Sequence, residues 1–134
     1  FLHFIQADAT NIPLPDNSFD AVSSTCVLCH AGLGRYGDPI VEDGDMKMLN
    51  EISRVLKLGG LAALTFGPVA AIDYFIRVGT LQRVYTMREA IRMASEAKLK
   101  VLERKIYELG WGWFDYVPVS DALGLHYLSM LLRK

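Results

Sequence analysis

The sequence predicts an α/β fold built on parallel strands, and three features predict it. Phe1 to Gln6 is an almost continuous apolar run with no polar alternation, as in a parallel strand buried on both faces. A polar, proline-punctuated stretch from Ala7 to Ser18 then leads into a second strand-like run, Phe19 to Thr25. Further on, Met48, Leu49, Ile52, Val55 and Leu56 recur at the spacing of one helical face, and Leu61 to Phe66 follows as another buried strand.

Composition bounds the rest. A chain of 134 residues, 51% apolar and 22% charged, amounts to at most one domain. Its longest apolar run falls well short of the roughly 20 residues of a membrane-spanning helix. The net charge is −1, with Lys and Arg dispersed, so no basic footprint points to nucleic acid. Two cysteines are too few for a disulfide framework, and a reducing, cytoplasmic setting is the expectation. Phe1 already lies inside a strand-like run, so the chain reads as the C-terminal portion of a single larger domain.

Taken in order, the Ala7–Ser18 stretch is about a dozen residues, near the minimum for a parallel crossover. Asn17-Ser18 is turn chemistry before the second strand. Asp43 or Asp45 can cap the helix that follows, and Gly59-Gly60 is expected to end it through the left-handed conformation. Gly67-Pro68 is expected to break the Leu61–Phe66 strand, and Asp73-Tyr74-Phe75 beyond it suits a lid or a plain loop. Thr86-Met87-Arg88-Glu89 has the form of a capping box before a helix from Met87 to Glu96, with Ala90, Ile91 and Ala94 on one face. Lys100 to Tyr107 alternates as a half-exposed strand. Trp111, Trp113, Phe114 and Tyr116 form an aromatic loop, and His126 to Leu132 is a last strand.

Several residues carry chemical potential. Asp8 stands at the C-terminal end of the first run, where open α/β sheets place ligands, although Asp also starts Asx-turns. Cys26-Val27-Leu28-Cys29-His30 has the Cys-x-x-Cys-His form of a haem attachment site and could be half a zinc site. Neither a second ligand pair nor other haem features accompany it, so a chance pattern around a small core cysteine is favoured. His30 can act as general base or as a structural hydrogen-bonder. In Gly32-Leu33-Gly34-Arg35-Tyr36-Gly37-Asp38, Arg35 offers a planar fork for carboxylate or phosphate and Tyr36 a flat face. The plainer alternative pairs Arg35 with Asp38. Glu42, Asp43 and Asp45 lack calcium-loop spacing.

Taken together, the stretch from Gln6 to Val22, with its Asp8-Ala9 pair, Leu14-Pro15 and Asp16-Asn17-Ser18-Phe19-Asp20, resembles the class I S-adenosylmethionine-dependent methyltransferases. Asn50 to Gly60 and the Leu61–Phe66 strand agree in order and spacing, with Leu58 where the family usually has Pro. The loop from His30 to Pro39, with Gly44-Asp45, is similar to a methyltransferase-like family of unknown function, and this likeness extends to about Tyr85. The resemblance implies a Rossmann-like class I methyltransferase sheet, partial from its third strand to its C-terminus, closed by an antiparallel hairpin. The family's first two strands, with their Gly-rich loop and ribose-binding acid, have no counterpart here. Gly32-Leu33-Gly34 and Gly110-Trp111-Gly112 are the nearest strings, and neither opens a helix.

By the same resemblance the cofactor is S-adenosyl-L-methionine. Asp8 and the Ala9 backbone would meet adenine, and Ser23, Ser24, Thr25 and Cys26 would lie beside the donor. His30 would be catalytic, standing in Leu28-Cys29-His30 where many members have Leu-Glu-His, and Arg35 and Tyr36 would bind the acceptor. No metal is expected. The implied activity is methyl transfer to a small-molecule or glycan-like acceptor, with the chain alone inactive and prone to aggregate. The alternative is a non-catalytic binding module on the same fold.

Overall fold

The computed structural model describes residues 2–69, 76–78, 82–108, 112–114 and 126–134. In chain order the elements are β1 (Phe19–Ser24), α1 (Gly44–Val55), β2 (Leu56–Val69), β3 (Ile76–Val78), β4 (Gln82–Val84), α2 (Met87–Glu96), β5 (Lys100–Glu108), β6 (Gly112–Phe114) and β7 (His126–Arg133). One sheet has the order β1-β2-β7-β5-β6, and β3 and β4 form a separate antiparallel ribbon. β1 and β2 run parallel, joined through α1, while β7 lies antiparallel to both β2 and β5. The antiparallel closure expected of the last strand is therefore present.

The core lies on one face of this sheet. Leu64 and Phe66 of β2, Leu128, Met130 and Leu132 of β7, and Ile106 of β5 turn inward onto Met48, Leu49 and Ile52 of α1 and Ala90, Met93 and Ala94 of α2. The apolar stripe of α1 is thus the predicted one. On the opposite face, exposed Ser23 and Ala63 lie near Thr65 and Ser129, whose hydroxyls hydrogen-bond at 2.9 Å.

Helix ends show how local signals meet tertiary demands. Thr86 Oγ1 accepts from the Glu89 N–H at 3.0 Å and opens α2 where predicted, while the Glu89 carboxylate turns to Arg92. Asp43 is the N-cap of α1 but makes no side-chain capping bond. Gly59-Gly60 does not end α1. The helix stops at Val55 because Leu56 turns extended to pair with Phe19 in β1. Lys57 to Gly60 then loop out before Leu61 pairs with Ala21, and Gly59 supplies the left-handed turn of that bulge at φ 80°.

Four further expectations are corrected. Phe1–Gln6 is not a buried parallel strand: no strand forms over residues 2–7, and Leu2, Phe4 and Ile5 are 104%, 91% and 53% exposed. A buried strand needs neighbours to take up its N–H and C=O groups and cover its faces, and among the described residues none lies beside it. Gly67-Pro68 bends β2 rather than ending it, since pairing with β7 continues to Val69 after a register shift at Thr65/Gly67. Part of the aromatic loop, Gly112–Phe114, is a strand on β5. The alternation read into β5 is interrupted as well, because a bulge between Val101 and Glu103 leaves Leu102 at the surface. Asp73-Tyr74-Phe75, Trp111 and Tyr116 lie outside the described residues.

Candidate functional site

At the C-terminal end of parallel β1, the chain leaves the sheet through Thr25 and Cys26. Cys26 takes φ 54°, a left-handed conformation that costs a residue with a side chain about 1–2 kcal/mol. This redirects the backbone into a single 3-10 turn, Leu28–His30, whose Leu28 and Cys29 are buried under β2. Non-glycine residues held at such angles concentrate at functional sites.

Beyond the turn, a glycine-rich loop folds back on the start of α1. Gly32, at φ 71°, sits so close to Val41 that an added Cβ would lie 2.4 Å from its carbonyl oxygen. Asp38 organises the tip, accepting the Tyr36 N–H at 3.1 Å through Oδ1 and the Gly34 N–H at 3.2 Å through Oδ2. These bonds, the Tyr36 one foremost, hold its carboxyl below the usual carboxylate range. Asp38 is therefore spent on backbone donors, and the simple Arg35–Asp38 pairing is not what shapes the loop.

Arg35 turns instead to its neighbours. Its Nη1 donates to His30 Nδ1 at 3.4 Å, and its guanidinium carbon lies 5.4 Å from the centre of the Tyr36 ring. The His30 and Tyr36 rings meet edge to face with centroids 6.1 Å apart. Because a guanidinium only donates, His30 Nδ1 accepts, and the neutral ring carries its proton on Nε2.

From below, the loop is held by a side chain that no sequence motif announced. Arg83 of β4, 1% exposed, donates to the carbonyl oxygens of Ala31, Val41 (3.3 Å) and Glu42 (2.9 Å), and its Nε lies 3.4 Å from Asp45 Oδ2. Tyr85 donates its hydroxyl to the same Asp45 oxygen at 2.9 Å, and burial, then the Asp45 charge, raises its pKa far above the usual phenol value. Asp45 is a buried anchor here rather than a surface cap.

A cleft of about 520 Å³ opens between this loop and the segment Ala7–Thr10. It brings together the predicted Asp8, Ala9, Cys26, His30 and Tyr36, along with Thr10, Val27 and Asp38. Asp8 starts an Asx-turn after all, its Oδ1 accepting from the Thr10 N–H at 2.8 Å and the Thr10 hydroxyl at 2.9 Å. The turn and a ligand role are compatible, since among the described residues Oδ2 takes no hydrogen bond. Ser23 and Thr25 are elsewhere: they point to the opposite sheet face, into a shallow depression with Ala63, Lys105 and Ser129. Ser24 faces the core, where its hydroxyl is buried with no partner among the described residues.

The segment leading from Asp8 to β1 is clasped by α1. Arg54 donates to the carbonyls of Ile12 and Leu14, each at 2.8 Å, and to Asp16 at 2.7 Å, while Glu51 accepts the Ile12 N–H at 2.7 Å. Glu51 and Arg54 are in turn paired with each other. The clasp ties the Asn50–Gly60 string to the proline-punctuated loop.

Cys29 belongs to the core. Its thiol packs on Gly67, where an added Cβ would lie 2.9 Å from Sγ, and burial, then the neighbouring Cys26, pushes its pKa to about 11. A protonated thiol with no exposed surface has no room for thioether attachment. Among the described residues no group of three or more His, Cys, Asp or Glu is placed to hold a metal ion, and no helix is long and apolar enough to cross a membrane.

Comparison with known proteins extends the geometry. Residues 1–64 match the methyltransferase domain family. No curated protein matches the chain by sequence. The fold is that of solved S-adenosylmethionine-dependent methyltransferases and their kin. The [4+2]-cyclase SpnF superposes with a TM-score of 0.67 at 19% identity, over 96% of this chain and 54% of that one. The Burkholderia thailandensis 1,6-didemethyltoxoflavin-N1-methyltransferase, solved with 1,6-didemethyltoxoflavin and S-adenosylhomocysteine, gives 0.64 at 20% identity, over 98% and 50%. The O-methyltransferase of a Brevibacillus brevis trans-AT PKS multienzyme, with S-adenosylhomocysteine, gives 0.66 at 15%, over 96% and 48%. The chain thus spans about half the length of these structures. Its Rossmann-like class I methyltransferase sheet is a partial one, as the sequence resemblance implied.

Proposed function

We propose that this chain supplies the adenine-binding and acceptor-facing side of an S-adenosylmethionine-dependent methyltransferase acting on a small molecule. The observation that carries the reading is the cleft at the C-terminal end of β1. Residues far apart in sequence, Asp8 and Ala9 on one wall and Cys26, His30 and Tyr36 on the other, meet there, where open α/β sheets bind ligands. The residues present fit the adenine end of the donor. Asp8 Oδ2 would accept from the adenine amino group and the Ala9 N–H would meet a ring nitrogen. Cys26, where the chain turns off the sheet, would border the sulfonium end.

When bound, the sulfonium donor supplies an activated methyl group, which leaves sulfur for a lone pair on the acceptor. The protein's own task is then to orient, to exclude water and to handle a proton. His30, held at Nδ1 by Arg35, would orient the acceptor. To take a proton on Nδ1 it must first release Arg35. Glycine backbone in the loop lets the acceptor come close, and the Asp38 and Arg83 contacts keep the loop in one shape. The neighbours solved with S-adenosylhomocysteine support this reading, as does the small-molecule methyl acceptor bound in one of them. A cytoplasmic location accords with one buried and one half-buried free cysteine.

Calorimetric titration of the protein with S-adenosylhomocysteine, alongside Asp8→Ala, tests the assignment. Loss of a charge-assisted hydrogen bond predicts binding weakened about tenfold or more. Equal binding by both proteins removes Asp8 from the site. A second reading, a binding module of this fold without methyl transfer, is favoured by one specific likeness: a [4+2]-cyclase shares the fold. Cofactor binding without turnover of any acceptor would select it.

A further inference from the structure

We propose that Arg83, which does not line the cleft, is the positioning residue that sets its glycine-rich wall, so that ligand affinity depends on this buried cation. The ligand in question, S-adenosylhomocysteine, follows from the methyl-transfer reading, on which the proposal rests. Arg83 is 1% exposed. It donates to the carbonyls of Ala31, Val41 (3.3 Å) and Glu42 (2.9 Å), and its Nε lies 3.4 Å from Asp45 Oδ2. A buried cation is costly unless its charge and its N–H groups are met. Asp45 meets the charge, and main-chain carbonyls at both ends of one loop take the donors. The planar fork suits this task, because its N–H groups point in fixed, different directions.

The effect reaches the cleft through one peptide group. Ala31 and Gly32 both line the cleft, as does Asp38. The peptide between Ala31 and Gly32 is trans, so its C=O and N–H point in opposite directions. Arg83 draws the carbonyl down, which turns the Gly32 N–H up toward Asp38. The Tyr36 N–H foremost, then those of Gly34 and Asp38 itself, and last that of Gly32, hold the Asp38 carboxyl below the usual carboxylate range. Val41 is fixed twice, its N–H donating to the Gly32 carbonyl at 2.8 Å and its own carbonyl accepting from Arg83. Gly32 packs so closely on Val41 that there is no space for a Cβ between them. Without the fork the loop samples other shapes, and apparent affinity falls to the fraction of time it spends in the competent one.

The test compares the wild type with Arg83→Lys, with Arg83→Met joined to Asp45→Asn, and with Tyr85→Phe. The double variant removes both buried charges together, so no lone ion is left in the interior. It should bind S-adenosylhomocysteine roughly tenfold more weakly in calorimetric titration, as for a loop in its competent shape about a tenth of the time. Arg83→Lys keeps a cation beside Asp45 but lacks the fork, so its affinity should fall between the two, and it carries the same comparison on its own. Tyr85→Phe removes the phenol's bond to Asp45 and leaves Arg83 in place, so it should lower stability without changing affinity. By NMR, the Gly32 amide resonance should follow the titration of Asp38 in the wild type and cease to do so in the double variant. Lost stability alone does not produce that change. Wild-type affinity in both Arg83 variants, or an equal weakening by Tyr85→Phe, overturns the positioning role and leaves the methyl-transfer reading standing. A wild type that binds no S-adenosylhomocysteine sinks the methyl-transfer reading instead, and the Gly32 amide then decides for Arg83. If that resonance follows Asp38 equally in wild type and double variant, Arg83 does not position the loop.

Discussion

At the scale of single residues, the cleft is built by side chains already committed to the backbone. Asp38 is the clearest. Its carboxyl is held below its ordinary value near 3.8 by the N–H groups of Tyr36 and Gly34. The stabilisation is therefore fully present above that ordinary value and is lost as pH falls through the lower folded one. Protection factors of the Gly34 and Tyr36 amides, followed by NMR, should hold above the ordinary carboxylate value and fall as pH drops through the lower folded one. Asp38→Asn should show fast exchange at neutral pH. The two cysteines offer a second check at this scale. With its pKa near 11 and its side chain fully buried, Cys29 should resist iodoacetamide at pH 8 in the folded protein and react once it is unfolded. Half-buried Cys26 should react first, and mass mapping of the alkylated peptides decides it.

What was legible at this scale follows from how local each interaction is. The Asx-turn of Asp8 could be read because its partner Thr10 stands two residues away. Arg83 could not, because its hydrogen bonds go to the carbonyls of Ala31, Val41 and Glu42, which leave no mark in the side-chain sequence, and its one carboxylate neighbour, Asp45, stands 38 positions away.

At the scale of elements, the same contrast separates α2 from the strands. Thr86 and Glu89 stand three residues apart, so the start of α2 is written locally, and the structure places it at Met87. Thr86→Ala should cost about 1 kcal/mol of stability, and Thr86→Ser far less, measured by denaturant unfolding. The end of α1 is decided by pairing instead: Leu56 joins β1 before Gly59 is reached, a tertiary demand that overrides a strong helix-stop signal. Bulges at Leu102 and Phe66 are equally invisible to an alternation rule, since one extra residue inverts the faces. The clasp of α1 on the proline-punctuated segment also belongs to this scale. Arg54→Ala frees both Glu51 and the carbonyls of Ile12 and Leu14, so hydrogen exchange at the Ile12 amide should speed up while that of the β2–β7 pairing stays unchanged.

At the scale of the whole molecule, the sheet order and antiparallel closure follow the class I methyltransferase pattern, yet one wall of the cleft is carried by a segment that no strand among the described residues holds. Leu2, Phe4 and Ile5 expose apolar surface next to that wall. Such surface favours self-association. Sedimentation velocity should show concentration-dependent association that Phe4→Ser with Ile5→Ser reduces. An apolar run announces that it will be buried, but not by what, and this is why Phe1–Gln6 was the least legible element of the chain.

The adenine site proposed between Asp8 and the glycine-rich loop, away from the open face of the sheet, is tested by titrating isotope-labelled protein with S-adenosylhomocysteine and reading backbone amides by NMR. Shifts should concentrate at Ala9, Thr10, Cys26 and Val27 and be reduced by Asp8→Ala. Shifts centred instead on Ser23, Ala63, Lys105 and Ser129 would contradict it.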